Sequence, residues 1–265
     1  MRLSTIASGS SGNCIYVGTD NTHILVDCGI SGKKVVNGLN ENDVDAKDVS
    51  GILITHEHID HISGLGVISR KYGIPIYATK GTADEIRKNT KLGDISKDLF
   101  MEIEADKSFE IGDIKINPFS ISHDAAEPVA YRIESGNKAV AVATDMGKYD
   151  DYIVSHLKKL DALVIEANHD VRMLLAGIYP YYLKQRILGD RGHLSNESSG
   201  KLINSILHDG LKHILLGHLS KENNYAELAY ETVRSEIQIS DNEYKAEDFD
   251  ISVAKRDGNS PLFCI

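Results

Sequence analysis

Thr55-His56-Glu57-His58-Ile59-Asp60-His61 sets three histidines and an aspartate within six residues, directly after the apolar run Ile52-Leu53-Ile54. Imidazole nitrogen and carboxylate oxygen are donors that hydrolytic divalent metals take. In an extended segment His56 and His58 project to the same side. Asp60 and His61 fall where the chain turns into a helix, within reach of a neighbouring ion. A solitary histidine is more often a satisfied surface or core group. Four ligand-type side chains packed this tightly are different: they repel once protonated and are hard to bury without a cation. The stretch therefore reads as a metal site. Three further donor types each end an apolar run. His123 follows Phe119-Ser120-Ile121-Ser122, Asp145 follows Val140-Ala141-Val142-Ala143-Thr144, and His218 follows Ile214-Leu215-Leu216-Gly217. Alone, each is a strand-end or turn residue. Beside the four-residue motif they read as ligands gathered at the strand ends of a sheet.

The elements that must position these residues alternate between strand and helix. Residues 3–7, 14–17, 24–27 and 51–55 read as strands, the last delivering the motif at its C-terminal end. A helix is predicted over 61–72, a strand over 74–78 and a helix over 82–91. Strand signals then run through 108–111, 114–120, 129–134 and 139–144, with turns at Gly112-Asp113 and Gly136-Asn137. Beyond them come a helix over 149–159, a strand over 162–166 and a helix over 180–188. Another helix starts after Ser195, which is placed to cap it, and carries the stripe Leu202, Ile203, Ile206 and Leu207 up to Gly210. A strand over 213–217, a helix near 225–235 and closing strands over 251–254 and 262–264 complete the pattern. Both halves mix strands with helices, which predicts a layered α/β sandwich. No linker rich in Pro, Gly and Ser divides them, so one domain over residues 1–265 is expected. Ser8-Gly9-Ser10-Ser11-Gly12-Asn13 is a tight polar turn, read as a hairpin loop or as a nest of backbone N–H groups facing an anion. Ser11 and Asn13 are its candidate substrate contacts.

Composition bounds the partners. The chain has 265 residues, is 42% hydrophobic and carries a formal net charge of -10, which argues against a globally basic nucleic-acid coat. It leaves room for a local basic groove. The 3 cysteines, Cys14, Cys28 and Cys264, lack CxxC spacing and read as small apolar residues of a reduced protein. Neither a secretory signal nor a membrane-length apolar run is visible, so the cytoplasm is expected by default and no membrane partner is.

The ordered series His56-x-His58-x-Asp60-His61, His123, Asp145 and His218, with Asp27 after Ile24-Leu25-Val26, resembles the metallo-β-lactamase superfamily over nearly the whole chain. That resemblance implies an αββα four-layer sandwich with the site on one edge of the paired sheets. It assigns His56, His58 and His123 to one ion and Asp60, His61 and His218 to a second. Asp145 lies between the ions, and Asp27 orients the ligand loop. It implies two divalent ions, zinc or manganese, with iron and magnesium not excluded. It also implies a metal-bound hydroxide as nucleophile, with Asp60 essential to it. Two divalent ions, two carboxylates and one hydroxide leave a formal charge of about +1, which favours an anionic substrate such as phosphate.

Which branch applies is narrowed by further residues. Asp145 stands where many true β-lactamases use cysteine, and His58 stands where the flavo-di-iron branch has glutamate. Asp190-Arg191-Gly192-His193-Leu194-Ser195-Asn196 resembles the histidine motif of the transfer-RNA 3′-processing branch. Glu166 looks like the carboxylate partner of His193, which then serves the leaving oxygen; a cap on the following helix is the alternative for His193 and Ser195. Asn168-His169-Asp170, Met173-Leu174, Gly177-x-Tyr179-Pro180, Leu183-Lys184-x-Arg186-Ile187 and Gly192-His193-Leu194-Ser195-Asn196 together resemble the YycJ/WalJ family. So do the Ser8–Asn13 turn and Gly217-His218-Leu219-Ser220-x-Glu222-Asn223. Members of that family are 5′-to-3′ exonucleases on double-stranded DNA, associated with mismatch repair. The inserted β-CASP domain and a flexible transfer-RNA arm are both missing. From Val171 to His193, Arg172, Lys184, Arg186 and Arg191 face a single acid, Asp190, leaving +3 in a chain of -10. Lys184, Arg186, Ser195 and Asn196 are candidate substrate contacts. Tyr179, Tyr181 and Tyr182 read as packed on the core, with stacking on an unpaired base as the alternative. The expectation is a dinuclear-metal phosphodiesterase, a DNA exonuclease. The alternatives are a ribonuclease of the transfer-RNA 3′-processing type, an acyl hydrolase (thioesterase or lactonase) and a non-catalytic binding module.

Overall fold

In the computed structural model, which describes residues 1–265, contacts group the chain into two units. The first holds Met1–Ser120, Ala125–Lys138 and Lys255–Ile265; the second holds Ile121–Asp124 and Ala139–Ala254. In the first, β1 (Arg2–Ala7), β2 (Cys14–Gly18) and β3 (His23–Val26) form an antiparallel meander, with Leu3 opposite Val17 and Tyr16 opposite Leu25. After α1 (Gly32–Glu41) the chain switches to parallel pairing at β4 (Val49–Leu53). α2 (Ile59–Ile62) and α3 (Leu65–Tyr72) lead to β5 (Ile76–Thr79), and α4 (Lys80–Lys88) leads to β6 (Phe100–Ile103). Parallel neighbours need such crossovers. A closing strand, Phe263–Cys264, pairs with β1, and the order across this sheet is closing strand, β1, β2, β3, β4, β5, β6.

Also in the first unit, β7 (Phe109–Ile111), β8 (Ile114–Ser120) and β9 (Val129–Ser135) form a second antiparallel meander. It packs on the first sheet: the rings of Tyr77 and Phe109 stack at 5.2 Å, and the buried Tyr131 hydroxyl donates to Ile54 O at 2.6 Å. Leu25, Ile52, Ile54 and Ile76 have no exposed surface and share a core cluster with Val35 and Leu39 of α1, Leu65 and Ile68 of α3 and Ile86 of α4.

The second unit is built on parallel β10 (Lys138–Ala143), β11 (Ala162–Glu166), β12 (His213–Gly217) and β13 (Asp250–Val253). α5 (Asp151–Leu157) connects β10 to β11. α6 (Val171–Ala176), α7 (Tyr181–Leu188) and α8 (Asn196–Asn204) lie between β11 and β12, and α9 (Ala226–Gln238) precedes β13. β11 is buried at every residue, as a covered parallel strand must be, and this explains its unbroken apolar run. No helix is long and apolar enough to cross a membrane.

The helix predicted over 61–72 is two helices. Gly64 separates them because its N–H donates to Cys28 O at 2.8 Å, and a Cβ there would sit 2.0 Å from Ile30 O. Three elements are additional to the sequence reading: α1, capped by Ser31 and burying Val35 and Leu39; β6, with Phe100 and Ile103 inward; and α6. Each is short or sparsely apolar, so its periodicity is weak. Ser195 does cap α8, accepting from Ser198 N at 3.2 Å. The helix stops at Asn204, so Ile206 is buried beyond its end.

Candidate metal centre

β4 ends at Leu53 and hands the chain to Thr55, whose N–H donates to Asp27 Oδ1 at 2.9 Å. Asp27 follows β3, is fully buried and has φ 62. Its Oδ2 accepts from the Thr55 hydroxyl at 2.9 Å and lies 2.7 Å from His61 Nδ1. A carboxylate only accepts, so Nδ1 of His61 carries the proton and Nε2 keeps a lone pair. His58 is the extended residue before α2, and its carbonyl accepts from His61 N at 2.9 Å. That turn brings the rings together: His56 lies 4.6 Å from His58 and 4.1 Å from His61, centroid to centroid, and Asp60 Oδ2 is 3.6 Å from His61 Nε2. Thr55 Oγ1 lies 3.0 Å from His56 Nδ1.

The loop after Asp27 braces this turn from below. Cys28 N donates to His61 O at 2.8 Å, and a Cβ on Gly29 would meet Asp60 O at 1.6 Å, so only glycine fits. Asn13 N donates to Asp60 O at 2.8 Å. Its side chain bonds Gly9 O and lies 3.2 Å from His61 Nε2. Asn13 is therefore wholly interior, whereas Ser11 is exposed.

In the second unit, three adjacent parallel strands present donors at their C-terminal ends. Asp145 follows β10, Glu166 ends β11 and His218 follows β12. Asp145 has φ 62 and His218 has φ 52. His218 Nδ1 is 3.1 Å from Asp145 Oδ1, and His193 Nδ1 is 3.2 Å from Glu166 Oε2 and 3.5 Å from Asp145 Oδ1. Donor atoms of Asp145, Glu166, His193 and His218 all lie within 4.8 Å of one another. His123 Nε2 is 3.9 Å from Asp145 Oδ1, and its Nδ1 donates to Gly192 O at 3.1 Å, which again leaves Nε2 for a ligand role.

Glu166 is also held by the N–H groups of Met146 and Leu194, both on Oε1. Burial pushes its carboxyl upward, but hydrogen bonds from His193 and His218 outweigh this, so it lies below its ordinary value and is ionised. His169, buried nearby, is pushed down to about 4 by desolvation and is neutral. His193 keeps 19% of its side chain exposed, enough to meet a substrate, while Glu166 keeps none.

The remaining candidates divide by exposure. Ser195 is buried as the α8 cap. Asn196 is buried and exchanges amide hydrogen bonds with Asn224 at 3.0 and 2.8 Å. Arg186 is exposed and pairs with Asp124, beside His123; Lys184 donates to Leu175 O at 2.6 Å. Tyr181 and Tyr182 stand in solvent rather than on the core, correcting the packed reading. Thr55, Gly29 and Asn224 are supporting residues the sequence reading missed; their single-residue types carry no spacing signal.

The donor sets fit divalent ions. They offer only imidazole and carboxylate, no thiolate, and His61 and His123 are oriented through Nδ1. Residues 22–211 match the β-lactamase superfamily domain. Exodeoxyribonuclease YycJ of Bacillus anthracis is 42% identical over 238 residues, covering 90% of this chain and 89% of that one. Exodeoxyribonuclease WalJ of Streptococcus pneumoniae is 43% identical over 240 residues, 91% of this chain and 89% of that one. Among solved structures, Zn2+-bound PqqB of Methylobacterium extorquens is similar over 100% of both chains, with a TM-score of 0.72 at 16% identity, a likeness of fold.

Proposed function

This chain belongs to the β-lactamase superfamily and, within it, to the family of the exodeoxyribonucleases YycJ and WalJ, and from that membership we propose how it works. It has the metallo-β-lactamase fold and is a nuclease. In our reading it digests double-stranded DNA from the 5′ end, in the cytoplasm and in the service of repair. His56, His58, Asp60 and His61, with His123, Asp145 and His218, are the donors for two divalent ions, zinc or manganese. Such ions supply Lewis acidity for an oxygen-rich substrate and a nucleophile at neutral pH.

The observation that carries the reading is the Glu166–His193 pair beside Asp145 and His218. Glu166 accepts from Nδ1 of His193 and fixes the ring; when the ring carries a second proton, Nε2–H gives that proton to the leaving oxygen and the ring returns to the neutral Nδ1–H form. The backbone donors of Met146 and Leu194 hold Glu166 in place. Asp27 accepts from Nδ1 of His61 in the same way, so that Nε2 is its ligand atom. Arg186, Lys184 and Ser11 are the proposed phosphate contacts. Asn13, Ser195 and Asn196 face inward and act by positioning the loops that carry the donors.

The test is digestion of end-labelled duplex DNA and of RNA with zinc, manganese or magnesium, beside thioester substrates and elemental analysis. His58→Ala and Asp60→Ala are expected to abolish cleavage and lower metal content. His193→Ala is expected to slow cleavage by about 100-fold or more with metal content near wild type. Equal loss of metal in His193→Ala refutes its assigned role. RNA cleavage alone favours the 3′-processing alternative, and thioester turnover without nuclease action favours the acyl hydrolase.

A further inference from the structure

Of eleven exposed large apolar side chains in the chain, five fall between residues 175 and 188: Leu175, Ile178, Tyr181, Tyr182 and Leu188. Ile178 is 88% exposed, Tyr181 76% and Tyr182 74%. Single exposed apolar residues need no explanation, but a cluster along one short stretch of chain, from α6 through α7, marks a surface built to meet something. α7 buries none of its residues, so this surface is not a core face left partly open. It is nonetheless well anchored. Pro180 starts the helix, Lys184 Nζ donates to Leu175 O, Arg186 pairs with Asp124, and His193 N donates to Ile187 O at 3.0 Å.

The flanking charge says what the surface meets. The 171–193 segment carries Arg172, Lys184, Arg186 and Arg191 against Asp190 alone, in a chain of net charge -10. Tyr182 and Arg186 are four residues apart on α7, hence on one face of the helix. Aromatic rings beside a cation suit a base with its phosphate. An interface between copies of the chain would instead be depleted of charge at its centre. α7 is about 12 Å long, and its C-terminal end turns directly into His193.

Resting on the nuclease reading above, we propose that the exposed ridge of α6 and α7, centred on Tyr181 and Tyr182, is a stacking platform for unpaired bases of the nucleic-acid strand being cut. A strand end entering the site is frayed; the tyrosines hold its bases out of the duplex while Arg186 takes a phosphate. This recognition is indifferent to sequence, because every base has a π-face.

The chain contains 0 tryptophans. Tyr182→Trp therefore keeps a stacking ring and adds a sole indole reporter. Its emission is expected to be quenched when a phosphorothioate-linked single-stranded oligodeoxynucleotide, which resists cleavage, is added to the protein as purified. Tyr181→Ala/Tyr182→Ala is expected to weaken binding of that oligomer about tenfold or more, with a native circular dichroism spectrum. An unquenched indole, or wild-type affinity in the alanine variant, overturns the platform while wild-type cleavage of DNA leaves the nuclease reading standing. If the wild-type chain neither binds nor cuts nucleic acid, both fail together. A dimer that becomes monomeric in the alanine variant, with no quenching in the tryptophan variant, gives the face to a second copy and also overturns the proposal.

Discussion

Asp27→Asn tests how the first donor cluster is oriented. The substitution is nearly isosteric, and asparagine tolerates the left-handed backbone at φ 62, so no strain is added. Oδ1 can still accept from Thr55 N, but an amide in place of Oδ2 sets N–H against the Nδ1–H of His61. The Thr55 hydroxyl can rotate to accept; the imidazole cannot without surrendering the tautomer that leaves Nε2 available. One charge-assisted hydrogen bond between fully buried groups is lost, worth about 1.5–3 kcal/mol. At about 2–4 °C per kcal/mol for a chain of this size, the Tm of metal-free protein should fall by about 3–12 °C. Metal removal before melting keeps ligand linkage out of the comparison. Affinity for zinc, measured by competition with a chromophoric chelator, should fall about 10- to 100-fold. A variant that melts lower yet binds zinc within about twofold of wild type refutes the orienting role and leaves Asp27 as a purely structural brace.

Two further outcomes follow from the same geometry. On the proposed roles, in which Glu166 acts through His193, Glu166→Gln and His193→Ala should slow DNA cleavage to a similar extent, and the double variant should be little slower than either; additive losses in that cycle would separate the two residues. With a thiol reagent at pH 8, native protein should release one fast equivalent from exposed Cys264, because Cys14 and Cys28 are buried and burial raises their thiols, Cys28 to about 12. Raised values mean protonated, unreactive sulfur at that pH; three fast equivalents before unfolding would contradict the packing around Asp27 and Cys28.

The placement of the site's side chains was legible because they are chemical types set at the ends of apolar runs, and a parallel strand must end somewhere. Asp145, Glu166 and His218 needed only three strand ends, and the runs before them are long enough to fix those ends. The metallo-β-lactamase fold was legible for the same reason, through the ordered ligand series. What the sequence hid is support. Gly29 reads as one glycine among 22, and only the 1.6 Å approach of Asp60 O shows why a side chain is barred. Asn13 reads as a turn residue that could face an anion; folded, its hydrogen-bonding groups turn inward to Gly9, Asp60 and His61. The tyrosines of α7 misled in the opposite direction. A helix bearing Lys184 and Arg186 suggests a solvated cationic face with the tyrosines packed on the core, and only the structure shows that nothing covers them.

The left-handed residues explain how the donors leave their sheets. Asp27, Asp145 and His218 have φ of 62, 62 and 52, each just beyond an apolar strand. Continuing in β geometry would send successive side chains to opposite, already filled faces. A single left-handed residue turns the chain away, so that its side chain lies off the strand end instead. Glycine adopts this backbone most cheaply but brings no donor. Aspartate and histidine there cost on the order of 1 kcal/mol each, and the two buried carboxylates Asp145 and Glu166 repel one another besides. Such costs persist only where something offsets them. On the proposed function that is the ions themselves, so metal binding and folding stability in this chain are one linked equilibrium.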